Sequence, residues 1–305
     1  MKNNEVIKNL TFSAIMVSIN VVFVILNLFI PLFTLLLLIA LPFSLTIVKI
    51  KCGLKYALLN IISSILITLL IDYQTSLFYL LPSLISGLLF GIFIEKKINR
   101  YYIVIFSSLI GIISQYLSIL LINAISNIDM ITVVSSLLNI EKEVFKDISY
   151  TVLFFISFIQ TIFSYIIIDS EVNKFNISIN KKYNIFYHLV IETFTLSILG
   201  WIFHSLIPSL SYLLTSLSIL SSLYLMYYLI KYNHKVLNLS FIVLYIISYF
   251  ICLINSTYLR TNGFDLLFNI FSLTSSINSV IFIIYVRFIK KEKIDELTFI
   301  NKEND

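Results

Sequence analysis

The sequence predicts an all-α, polytopic transmembrane helical bundle of about ten spans, with both termini inside the cell. Three observations predict it. First, 59% of the 305 residues are hydrophobic and 12% are charged, with a mean hydropathy of +0.99. A soluble domain is about 45–50% apolar and about 25% charged. A water-soluble core of this size cannot hide the excess, so the bilayer must act as solvent. Second, ten apolar stretches approach the ~20 residues that a spanning helix needs. They run over 10–29, 32–50, 55–71, 77–94, 101–123, 149–168, 185–206, 210–230, 237–257 and 266–288. Third, threading them from an inside N-terminus leaves 18 of the 21 Lys and Arg residues on inner segments, with only Lys142, Lys146 and Arg260 outside. Cytoplasmic loops retain Lys and Arg in this way. A missed span in the middle would invert every later loop and spoil the agreement.

The elements follow in order. The first stretch comes after Lys2 and Lys8, is long, and lacks a small-residue cleavage site, so it reads as a retained helix rather than a leader. Its Ala14 and Ser18, four apart, are a small-residue pair for close helix packing or for docking a partner. Pro31 suits the turn to the second span, and Gly53 suits a C-cap after it. The fourth span lies in LPSLISGLLFGIFIEKK, residues 81–97, where Ser83, Gly87 and Gly91 recur at four-residue spacing. Such a face marks a tight helix crossing.

Gln115 and Gln160 are strong hydrogen-bonding groups in spans five and six. Counted along their spans they fall at similar depths near the midplane. Facing a cavity they would hold a polar ligand; otherwise each bonds a neighbouring helix. Between them an outer amphipathic helix is expected over 129–147, capped by Asp129, with Met130, Val133, Leu137 and Phe145 on one face. It is either a plain connection or a lid.

The seventh span contains YHLVIETFTLSILGW, residues 187–201, with Glu192 one helical turn beyond His188. Intramembrane carboxylates are costly and usually face the bundle or water. The pair is either a proton or ion site or a tolerated charge near the inner edge. Trp201 and His204 mark an outer interfacial belt. Pro208 suits the turn to the eighth span. Cys52 and Cys252 should lie at different depths, so no disulfide is expected. No metal-binding cluster, HExxH, GxSxG, P-loop or carboxylate pair occurs. No enzyme activity, cofactor or metal is therefore expected. The +5 net charge flanks apolar segments instead of forming a patch, which argues against nucleic acid.

Two stretches carry a family resemblance: LPFSLTIVKIKCGLKYALL, residues 41–59, and LPSLISGLLFGIFIEKK. With the length and helix number they resemble the YybS-like family of multi-spanning membrane proteins of low-GC Gram-positive bacteria. GFDLLFN, residues 263–269, resembles that family's C-terminal Asp motif. The N-terminal half is also similar to the six-helix substrate-binding S subunits of energy-coupling-factor (ECF) vitamin transporters. That resemblance implies a coupling subunit and ATPases as partners, with Ala14 on the first helix at the contact.

The expected organisation is a six-span N-terminal unit, residues 1–169, and a four-span C-terminal unit, residues 170–305, with a short cytoplasmic tail. The expected location is the bacterial cytoplasmic membrane, with the lipid bilayer as a partner and a homo-oligomer allowed. The first functional expectation is small-solute binding associated with transport, through Gln115 and Gln160. The alternative is a non-transporting membrane scaffold or assembly factor, and the third is a proton-coupled carrier using Glu192 and His188.

Overall fold

The computed structural model describes residues 2–30, 33–172, 186–231, 235–254 and 265–285. Pro31, Arg260, the basic residues between 173 and 185 and the tail beyond 285 lie outside them. The described chain forms eleven helices: α1 Lys2–Phe29, α2 Phe33–Cys52, α3 Leu54–Leu69, α4 Tyr73–Glu95, α5 Arg100–Ser126, α6 Met130–Leu138, α7 Lys142–Val172, α8 Phe186–Phe203, α9 Pro208–Lys231, α10 Lys235–Ile254 and α11 Asp265–Ile284. Within the described residues, each of the ten apolar stretches overlaps one of them. Six contain stretches long and apolar enough to cross a membrane: Asn4–Phe29, Tyr73–Glu95, Arg100–Ser126, Lys142–Glu171, Pro208–Tyr227 and Leu267–Ile284. Leu54–Leu69, His188–Phe203 and Leu239–Ile251 are shorter apolar helices.

Residues 129–147, expected as one amphipathic helix, divide. The nine-residue α6 stops where Asn139 turns left-handed at φ 52°, and Ile140 N–H returns to Ser135 O at 3.0 Å. Asn tolerates that conformation better than most side chains. Residues 142–147 instead begin α7.

The chain forms two compact units, Met1–Lys142 with Val152–Lys182, and Glu143–Thr151 with Tyr183–Asp305. In the first unit the side-chain contacts fix how the helices run. Parallel α1 and α3 are linked by Ser13 Oγ donating to Tyr56 O at 3.2 Å and by Asn20 Nδ2 donating to Asn60 Oδ1 at 3.2 Å. Parallel α2 and α4 meet through Lys49 and Glu95, 2.6 Å apart. Antiparallel α5 and α7 meet through Arg100 and Asp169, 3.2 Å apart. Successive long helices of this unit therefore alternate in direction, as a multi-span bundle requires.

Polarity is arranged inside out. Asn20, Asn60, Ser64, Thr68, Ser83 and Ser107 are fully buried, while Ile62, Leu66, Ile113 and Ile166 stand outward. Water would penalise this arrangement and hydrocarbon favours it. An apolar core of Val24, Leu37, Leu41, Leu45, Leu80 and Leu84 fills the space among α1, α2 and α4.

Candidate functional site

The polar seam of the first unit begins at a proline. Pro42 lies inside α2 and has no N–H, so the carbonyl of Leu38, four residues back, loses its helical donor. Gln160 Nε2 and Ser164 Oγ of α7 both donate to that carbonyl, at 3.3 and 3.2 Å. Gln160 Nε2 also donates to Ser83 Oγ of α4 at 2.9 Å. On the other side, Thr46 Oγ1 donates to the carbonyls of Pro42 and Gly87 at 2.7 and 2.9 Å. A Cβ at Gly87 would overlap the Pro42 backbone, and one at Gly91 would come within 2.6 Å of the Lys49 side chain. Gly87 and Gly91 thus let α4 lie directly on α2.

The seam continues between α5 and α7. Asn99 caps α5, its side chain accepting from Tyr101 N–H at 3.1 Å. Gly111 packs on Ser157, where a Cβ would overlap the Ser157 hydroxyl. With Arg100 against Asp169, this sets the register: Ser107 stands level with Thr161, and Gln115 with Leu153. Gln115 and Gln160, expected at similar depth, are therefore displaced by about 10 Å along the helices, at 1.5 Å per residue. The expectation failed because α7 begins at Lys142, seven residues before the apolar stretch does. Among the described residues, the buried polar atoms of this seam without a hydrogen-bond partner include Ser107 Oγ, the Gln115 carbonyl Oε1 and Thr161 Oγ1.

The remaining candidates are separate from this seam. Ala14 and Ser18 are exposed, and Ser18 Oγ bonds only its own helix at Ala14 O, 3.1 Å. The packed face of α1 is Ser13, Val17, Asn20 and Val24. In the second unit His188 is exposed and Glu192 half-buried on α8. The interior face of α8 belongs to Thr193, Ser197 and Gly200: Ser218 Oγ donates to Thr193 O at 3.0 Å, and Ser211 Oγ to Gly200 O at 2.6 Å.

Sequence reasoning passed over Asn20 and Asn60, which join α1, α2 and α3. Asn20 Nδ2 donates to Asn60 Oδ1 and Ser64 Oγ, Ser44 Oγ donates to Asn20 Oδ1 at 2.7 Å, and Asn60 Nδ2 donates to Ser13 O at 2.9 Å. It also passed over Asn278 of α11, fully buried near the Tyr245 hydroxyl. An asparagine within an apolar run was a usable signal in each case. Likewise, a proline inside a span implies an orphaned carbonyl four residues earlier and a donor on another helix.

Residues 18–149 match the model of a family described as "Predicted membrane protein (DUF2232)". The matched stretch includes the segments 41–59 and 81–97 and the α2–α4 crossing, but not 263–269. No curated protein and no solved structure matches the chain.

Proposed function

We propose that this integral membrane protein binds a small polar, uncharged solute in the α5–α7 seam, in association with transport. The observation that carries the reading is the trio of orphaned atoms, Ser107 Oγ, Gln115 Oε1 and Thr161 Oγ1. Each unsatisfied buried group costs about 1–3 kcal/mol, and no water in the bilayer core offsets it. A solute with hydrogen-bond donors would. The three atoms are shut off from solvent, so entry requires α5 and α7 to part. The chain would perform no covalent chemistry, and ATP-driven movement would need partner subunits. The exposed small pair Ala14 and Ser18 is compatible with a coupling-subunit contact of the kind the S-subunit resemblance implies. About ten spans and an inside N-terminus belong to the same proposal, supported by the distribution of Lys and Arg, as does a bacterial cytoplasmic membrane.

A second reading, a non-transporting scaffold or assembly factor, is favoured by Gln160. Its amide is spent on Leu38 O and Ser83 rather than offered to a ligand. Gln115→Leu separates the two. Under solute binding, the purified wild-type chain carries a small molecule, detected by mass spectrometry after denaturation, and the variant has lost it. Under the scaffold reading nothing co-purifies, and the variant is simply more stable by about 1 kcal/mol or more, because an unpaired polar group has gone.

A further inference from the structure

We infer that the charged end of the first unit holds an anionic phospholipid, its phosphate on Lys55, Lys96 and Lys97 and an acyl chain along α3. The inference is independent of the solute-binding reading. The ion pairs place the α2–α3 turn beside the α4–α5 turn, because Lys49 of α2 bonds Glu95 of α4 at 2.6 Å. Two carboxylates at this end are already committed, Glu95 to Lys49 and Asp169 to Arg100. Lys55, Lys96 and Lys97 are exposed and enter no ion pair among the described residues. Lys97 also holds φ at 53°, a backbone conformation in which glycine would be less strained. The opposite end of the unit carries Asp72, Asp129 and Glu141 against Lys142, so the positive field is confined to one end.

What makes the ligand a lipid is the surface below the lysines. Lys55 heads a face of α3 on which Leu58, Ile62 and Leu66 are 44%, 55% and 60% exposed. From Lys55 to Leu66 the helix rises about 16 Å at 1.5 Å per residue, close to the ~15 Å depth of one leaflet's hydrocarbon. A cation at the head of an apolar stripe one leaflet long fits a phospholipid. A soluble phosphate would leave the stripe unused.

The test uses the full chain in phosphatidylcholine nanodiscs containing a minor share of phosphatidylglycerol, with retained lipid counted by native mass spectrometry. The wild type should retain phosphatidylglycerol over phosphatidylcholine, with about fivefold preference per lysine near the surface. The triple variant K55Q/K96Q/K97Q should lose most of that preference, and K55R/K96R/K97R should keep it, which separates charge from folding. Equal retention of both lipids by the wild type overturns the inference, as does an unchanged preference in the glutamine variant. Displacement by glycerol phosphate at equal concentration would reduce the site to a phosphate site. A dimer that buries Leu58, Ile62 and Leu66 and excludes lipid would also overturn it.

Discussion

Pro42 and Gln160 form one unit although 118 positions separate them. The proline removes a backbone donor, and the glutamine supplies one from another helix at 3.3 Å. Restoring the helical N–H should remove the need for one of the two bonds the glutamine makes, leaving its bond to Ser83. In the wild type, Gln160→Leu should cost about 1 kcal/mol, the upper range for a hydrogen bond between membrane helices. In a Pro42→Ala background the same change should cost clearly less. A double-mutant cycle of unfolding free energies in mixed micelles measures the coupling, and strict additivity would show that the two side chains act independently. Gln160 was legible as a buried amide. Its partner was not, because only the helix register brings α7 over the Leu38 carbonyl.

Among the elements, the α6–α7 corner shows how one carboxylate organises a helix start outside the membrane. Asp129 caps α6 by accepting from Ile131 N–H at 3.1 Å and takes further bonds from Lys142 Nζ at 2.7 Å and Thr132 Oγ1 at 2.6 Å. The Lys142 bond, then the Thr132 bond, lower its pKa to about 2. Because the folded pKa is depressed, the stabilisation is fully present above the ordinary carboxylate value of about 3.9. It is lost as the pH falls through about 2. A carbon-detected titration of Asp129 should therefore have its midpoint near 2 in the wild type. In Lys142→Gln the midpoint should move up toward the ordinary value, and an unmoved midpoint would assign the shift to Thr132 and the cap alone. The Asp129 cap was readable from sequence, since a short acidic side chain before an apolar run is a local signal. The break at Asn139 was not, because Asn is compatible with either helix or a left-handed turn.

At the scale of the molecule, the inside N-terminus proposed above predicts the side of the membrane on which Cys52 lies. The thiol ends α2, half-buried, and burial pushes its pKa up, partly offset by Lys51. With Cys252 replaced by Ser, a membrane-impermeant maleimide should label Cys52 slowly in inverted vesicles, faster as the pH is raised, and not in intact cells. Labelling in intact cells would reverse the topology. The sequence by itself determined the apolar character, the helical class and the approximate positions of the long helices among the described residues, because these rest on hydrophobic runs local in the chain. Only the tertiary structure decided which polar groups are satisfied and which are orphaned. It closed Gln160 onto a proline-freed carbonyl, left Gln115 Oε1 without a donor, turned Ala14 and Ser18 outward and made Asn20 and Asn60 the polar link of α1 to α3. Hydrogen bonding between helices depends on rotation and register, and neither is encoded in any single apolar run.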